Sequence, residues 1–317
     1  MTTFAFVFPG QGSQSVGMLD AWHDHPAVQA TLEEASQALG EDIGRLIHEG
    51  PKETLALTTH TQPVMLVAGV AAYRVWQAEG GAPPAFVAGH SLGEYSALVV
   101  SGVLTLAQAV PLVRLRAQAM QDAVAVGAGA MAAVLGLPAA RVVEVCAQAQ
   151  ASFGAGSDEV VQAANFNDPG QTVISGSKLA VDQACERLKA AGAKRTLLLP
   201  VSAPFHCPLM QPAAERLREH LAGMALQPPT IAVINNIDVA QETDPARIRD
   251  ALFRQAYGPV RWVETIERMQ QSGVTHVVEC GPGKVLAGMV KRISPDLSSH
   301  ALHDPATLAE TFAFLNA

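Results

Sequence analysis

The chain is 317 residues long, 49% hydrophobic and 16% charged, with a formal net charge of −8. This composition supports a sizeable core and excludes global disorder, and the acidic balance argues against nucleic acid as a partner, because such proteins carry a basic footprint. No window holds eighteen uninterrupted apolar residues, so no transmembrane span is expected. Residues Met1 to Pro9 lack the basic region of a secretory signal. The four cysteines, Cys146, Cys185, Cys207 and Cys280, show no C-x-x-C spacing. They read as reduced, mostly buried thiols of a cytoplasmic protein.

In chain order, Phe4 to Phe8 is a short apolar run that predicts the first strand. The loop after it, Pro9-Gly10-Gln11-Gly12-Ser13-Gln14, lacks G-K-[ST] and is not G-x-G-x-x-G, which argues against a nucleotide site. Helical patterns follow at Ala27 to Leu39, closed by Gly40, and at Thr61 to Glu79, closed by Gly80-Gly81. Pro63 is expected in the first turn of the second helix. Its run Val64 to Ala72 is apolar all round, as in a helix buried inside a layered α/β domain. Next comes Gly89-His90-Ser91-Leu92-Gly93-Glu94, with Ala85 to Ala88 before it and Tyr95 to Val100 after it. Strand, Gly-flanked turn and helix form the context of a nucleophile elbow. Ser91 would stand at the turn, and the Leu92 N–H, at a helix N-terminus, would face an oxyanion formed there. The motif alone equally fits a glycine-rich turn with an incidental serine. In an open parallel sheet, loops at the carboxyl ends of strands gather around one crevice. That makes Gln11, through its backbone or side chain, the candidate for a second oxyanion donor.

Thr105-Leu106-Ala107-Gln108 is a capping-box signature for a helix over Thr105 to Val124, with Pro111 early in it. Within that helix Arg116 has Leu112, Val113, Ala119 and Met120 at helical spacing. An arginine on an apolar face is costly without a carboxylate. Either an internal Asp or Glu meets it, or the carboxylate arrives on a substrate, which the planar guanidinium fork would grip through two N–H groups. Strands at Ala130 to Leu137, Val160 to Asn165, Thr172 to Ser175 and Arg195 to Val201, with helices at Pro138 to Ala151 and Leu179 to Ala191, give a β-α-β-β-α-β order, the ferredoxin-like arrangement. The fold class is therefore α/β: a large α/β-hydrolase-like domain with a parallel sheet, residues 1–126 and 202–317, interrupted by a small ferredoxin-like subdomain, residues 127–201. A cleft between the two is a usual place for a substrate site. His206 follows directly in a proline-bounded loop, Pro204-Phe205-His206-Cys207-Pro208. It suits a base facing that cleft, although a lone histidine is more often structural. A helix over Met210 to Met224, a strand at Ala232 to Ile237 containing Asn235-Asn236, helices at Ala246 to Tyr257 and Trp262 to Ser272, a strand at Thr275 to Cys280 and a helix over Lys284 to Ile293 complete the pattern.

Three stretches, Phe8 to Gln14, Gly89 to Tyr95 and Pro204 to Cys207, resemble the malonyl-CoA:acyl carrier protein transacylases of bacterial fatty acid synthesis. Gly129 to Ala133, Asn165-Phe166-Asn167, Gly170-Gln171 and Gly281 to Leu286 extend the resemblance essentially from end to end. It implies a ping-pong transfer with Ser91 as nucleophile and His206 as general base and then acid. The oxyanion hole would be the amides of Gln11 and Leu92, and Arg116 would hold the free malonyl carboxylate. A backbone carbonyl of Gln255 would orient His206, and Phe205, His90 and Asn165 would line the pocket. No metal or redox cofactor is implied; the substrates would be malonyl-CoA and the phosphopantetheine thiol of acyl carrier protein, with neither nucleic acid nor membrane as partner. The departures are Ala117 where many relatives have Gly, Gly258 in place of a frequent Asn, and Pro111.

An arginine in a dry pocket would discriminate against acetyl-CoA by roughly 2–5 kcal/mol. In related polyketide acyltransferases a Phe before the catalytic His accompanies malonyl over methylmalonyl, a preference worth about 1–3 kcal/mol per methyl. Phe205 holds that position. Because the carrier is acidic in this family, Lys189, Lys194, Arg195, Lys284, Lys291 and Arg292 are candidates for a local docking patch. The competing readings are an esterase or thioesterase of α/β-hydrolase type, using Ser91 with His276 or His300, and a non-catalytic carrier-binding relative. The first fits the order of Ser91 and His206 poorly, and the second would be expected to lack Ser91, His206 or Arg116.

Overall fold

The computed structural model describes residues 2–316 as a mixed α/β fold with one parallel and one separate antiparallel sheet. Strand β1 (Phe4–Phe8) is buried at all five positions. Its side chains alternate between two apolar clusters: Phe4, Phe6 and Phe8 on one face, Ala5 and Val7 on the other. Helices α1 (Pro26–Leu39), α2 (Ile43–Glu49), α3 (Lys52–Leu55) and α4 (Thr58–Ala78) follow, then β2 (Phe86–Gly89), α5 (Gly93–Val100) and α6 (Leu106–Asp122). The capping box of α6 forms as its sequence predicts, with Thr105 and Gln108 satisfying each other's amides. Strand β1 pairs in parallel with β2, and the register sets Phe8 opposite Gly89. The loops after these two strands therefore leave the sheet side by side at its carboxyl end.

The chain next builds β3 (Gly129–Leu135), α7 (Ala139–Ala151), β4 (Val161–Asp168), β5 (Gln171–Ser177), α8 (Lys178–Ala190) and β6 (Arg195–Leu198). These strands form an antiparallel sheet in the order β4-β5-β3-β6. One face carries α7 and α8 over a separate apolar cluster. The other face, with Met131, Ala133, Ala164 and Val173, receives Phe205, which also packs on the main core. Returning, the chain forms α9 (Gln211–Ala222), β7 (Ala232–Val233), α10 (Pro245–Gln255), α11 (Trp262–Gln271), β8 (His276–Cys280), α12 (Val285–Ile293), β9 (Ser298–Leu302) and α13 (Pro305–Asn316). The parallel sheet runs β7-β2-β1-β8-β9. Helices cover both of its faces, which is why β1 reads as an unbroken apolar run.

Several boundaries differ from the sequence expectation. Helix α4 starts at Thr58, so Pro63 lies inside the helix and not in its first turn; the polar Thr58-Thr59-His60 hides that turn from an apolar pattern. Strand β7 stops after two residues. The Ile234 N–H still reaches Val87 O at 3.0 Å, but the Asn235 N–H turns back to Ala240 O at 3.0 Å. Strand β6 ends at Leu198, because Val201 folds onto Leu199 O. The short helices α2 and α3, the edge strand β9 and helix α13 were not foreseen. All four cysteines are free and buried. Among the described residues no helix is long and apolar enough to cross a membrane.

Candidate active site

The turn between β2 and α5 needs both of its glycines for lack of space. A Cβ on Gly89 would lie 1.8 Å from the Gly93 carbonyl carbon, and one on Gly93 would lie 2.0 Å from Phe8 O. Between them Ser91 adopts φ 53°, a left-handed conformation that is uncommon outside glycine. Side chains from distant segments grip its peptide groups. Asn236 Oδ1 accepts from the Ser91 N–H at 2.8 Å, and Gln255 Nε2 donates to Ser91 O at 2.8 Å. Glu94, buried on the first turn of α5, accepts from the Asn236 N–H at 2.9 Å and from Gln255 Nε2 at 3.2 Å. Burial pushes the Glu94 carboxyl up to about 7.

His206 is the second residue with a left-handed backbone here, φ 61°. Its Nε2 lies 2.7 Å from Ser91 Oγ. Its Nδ1 lies 3.0 Å from Gln255 O and 3.1 Å from Gly258 O. Two carbonyls can only accept, so Nδ1 carries the proton and Nε2 accepts from the Ser91 hydroxyl. His206 is 2% exposed. Burial, then the Arg116 cation and then His90 bring its pKa down to about 3. The imidazole is thus a neutral base at rest. Gly258 supplies the second carbonyl, and a Cβ there would meet Ile237 Cδ1 at 2.4 Å.

Arg116 is 3% exposed. Its Nη1 donates to Gln62 Oε1 at 2.7 Å, and its Nη2 donates to Gln255 Oε1 at 3.2 Å and to Ser91 Oγ at 3.3 Å. Its guanidinium carbon sits 5.4 Å from the centre of the Tyr95 ring. No Asp or Glu forms an ion pair with it among the described residues, so the internal salt bridge left open by the sequence is not made. Neutral amide oxygens stand beside the guanidinium, its Nε has no partner among the described residues, and burial lowers its pKa. The site therefore holds a desolvated cation beside a serine hydroxyl that is hydrogen-bonded to a neutral imidazole.

The amides of Gln11 and Leu92 have no hydrogen-bond acceptor among the described residues. Leu92 is the N-cap of α5. Gln11 lies in the loop after β1, where Gly10 packs so closely on the elbow that a Cβ would lie 2.6 Å from His90 O. The Gln11 side chain donates to Thr58 Oγ1 at 3.0 Å, and Thr58 meets Ser202 Oγ at 2.9 Å. His90 Nε2 lies 2.8 Å from Asn167 Oδ1, and its ring packs on Trp262. Asn167, not Asn165, thus joins β4 to the elbow; Asn165 is buried in β4 and bridges Val260 through its backbone. Phe205 is half-buried between the two cores. His276 begins β8 at the opposite end of the sheet from Ser91, and both it and His300 pack on Phe314. Gln62, Asn236, Asn167 and the Gly258 carbonyl went unrecognised in the sequence. Gln62 carried one signal, a lone amide entering an apolar helix. A groove of about 580 Å³ between α8 and β6 contains none of these residues, so cavity size does not locate the site.

The chain matches the family described as acyl transferase domain over residues 5–302. It is 53% identical to the malonyl CoA-acyl carrier protein transacylase of Escherichia coli strain K12 over 310 residues, 98% of each chain. It is similar in structure to an acyl-carrier-protein S-malonyltransferase from Burkholderia pseudomallei, with TM-score 0.95, 58% identity and complete coverage of both chains. A malonyl-transacylase solved with its type II PKS acyl-carrier protein aligns at TM-score 0.95 and 47% identity, over 99% of this chain and 100% of the other.

Proposed function

The chain belongs to the acyl transferase family, and from that premise we propose how its residues carry a malonyl group from malonyl-CoA to acyl carrier protein. Ser91 Oγ attacks the thioester carbonyl as His206 Nε2 takes its proton, and the amides of Gln11 and Leu92 receive the oxyanion. The tetrahedral intermediate collapses to malonyl-Ser91, and the departing CoA thiolate takes the proton from His206. In the second half His206 removes the proton of the phosphopantetheine thiol. The thiolate attacks the ester, and Ser91 Oγ recovers the proton. Arg116 holds the free carboxylate of the malonyl group throughout. A thioester is already activated, so this course calls for no metal or redox cofactor.

The observation that carries this reading is the contact of Ser91 Oγ with both His206 Nε2 and Arg116 Nη2, the latter from a buried cation without a carboxylate partner among the described residues. The small sheet reads as a ferredoxin-like subdomain, since its β-α-β-β-α-β order comes with strand order β4-β5-β3-β6. The division at residues 127–201, with an α/β-hydrolase-like remainder, belongs to the same reading. So do a cytoplasmic setting and supply of malonyl units to fatty acid elongation. Intact-mass measurement after mixing with malonyl-CoA alone tests the mechanism. A stable gain of one malonyl group is expected, absent in Ser91→Ala and discharged by holo carrier protein. Free malonate accumulating without an adduct would overturn the transferase course in favour of hydrolysis.

A further inference from the structure

Strand β7 ends two residues short of the reach of its neighbour. Phe86 and Val87 of β2 pair with Ala232 and Val233, whereas Ala88 and Gly89 have no strand beside them on that side. The Asn236 side chain occupies the gap. Its Nδ2 donates to Gly89 O at 2.7 Å, and its Oδ1 accepts from the Ser91 N–H at 2.8 Å. A primary amide sets an N–H donor beside a carbonyl acceptor in the geometry of a peptide group. It therefore continues the ladder onto the elbow exactly where the backbone turns left-handed. Asn236 is fully buried, and its own backbone is held at both ends: the N–H donates to Glu94 Oε2 at 2.9 Å, and the O accepts from the Arg261 N–H at 3.2 Å.

We propose that Asn236 is a positioning residue of the transfer reaction: its side-chain amide clamps the two peptide groups flanking His90 and so fixes the left-handed Ser91 and the direction of the Leu92 N–H. Gln255 completes the grip from the Ser91 carbonyl, and Glu94 ties the Asn236 backbone N–H to the Gln255 side-chain amide. Such strain persists only where the surroundings over-determine it. Asn236 touches neither Ser91 Oγ nor Arg116, so its effect passes through the elbow backbone. The proposal rests on Ser91 being the acylated residue.

The test is the rate of malonyl-Ser91 formation from malonyl-CoA, read by rapid quench and intact mass, in the full-length wild type, Asn236→Asp and Asn236→Ala. Asn236→Asp keeps the size and the acceptor but turns a carboxylate oxygen toward Gly89 O. Asn236→Ala is expected to slow acylation by about 100-fold, as for a misplaced reacting group, and Asn236→Asp by less. KM for malonyl-CoA should stay at the wild-type value, since Arg116 is untouched. Wild-type acylation rates in folded Asn236→Ala would overturn the proposal. So would a rate loss matched by a loss of folded protein in both variants, which would make Asn236 merely structural. If the wild type itself gains no malonyl group, the assignment of Ser91 fails first, and that result is distinct from either.

Discussion

Arg114 and Arg116 stand two residues apart on α6 and look into different regions of the molecule. On the outer side, Arg114 meets Glu41 through both oxygens, at 2.7 and 2.6 Å. On the inner side, Arg116 meets two glutamine oxygens and a serine hydroxyl. The outer pair is a closed structural contact that solvent screens. The inner cation is desolvated and has no ion-pair partner among the described residues, so under the proposed function a substrate carboxylate would balance it. Sequence places both arginines on one helix; their partners, far along the chain, separate an arginine closed in an ion pair from one proposed to bind substrate.

Removing each arginine breaks the comparison most sharply. Arg116→Ala is expected to lower kcat/KM for malonyl-CoA by about 2–5 kcal/mol of transition-state binding, roughly 30- to several-thousand-fold. It should penalise acetyl-CoA far less, so the ratio of the two substrates is the measurement. Arg114→Ala should leave that ratio alone and cost about 0.2–1 kcal/mol of stability, read by denaturant unfolding.

The pH profile sharpens it further. His206 sits at about 3, below its ordinary 6.5, through burial and then through Arg116. The acid limb of kcat/KM should therefore lie well below pH 6.5 in the wild type. It should move upward in Arg116→Ala and stay in place in Arg114→Ala. Stability carries the matching sign. Between pH 6.5 and 3 the unfolded histidine binds a proton that the native one refuses. The native state thus loses about 1.4 kcal/mol per pH unit from this group as pH falls.

The smallest effect is expected at the surface. Lys284 and Lys291 are exposed and take no part in an ion pair among the described residues, whereas Arg292 is paired to Asp168 and Lys189 to Glu186. If they meet an acidic carrier, Lys284→Glu or Lys291→Glu should raise the KM for carrier protein a few-fold, in keeping with about 0.2–1 kcal/mol per screened pair. KM for malonyl-CoA should not change. An unaltered carrier KM in both variants would place docking elsewhere.

Where local chemistry dictates structure, the sequence was a good guide. The elbow glycines, the capping box at Thr105 and the alternation of strands with helices all produced the expected elements. Helices α2 and α3 are too short to establish a period. Strand β9 begins Ser298-Ser299-His300 because it lies at the sheet edge. Ser91, His206 and Arg116 were legible because each is an anomaly in its segment. The supporting amides were not. Gln62, Asn236 and Asn167 acquire meaning only from residues 54 to 147 positions away.

The antiparallel sheet is bonded to both sides of the Ser91–His206 contact. Through Asn167, β4 grips His90 beside Ser91, and through Gln162 Nε2 it grips His206 O at 2.9 Å. Swinging that sheet away would drag on Ser91 and His206 together and dismantle the proton path.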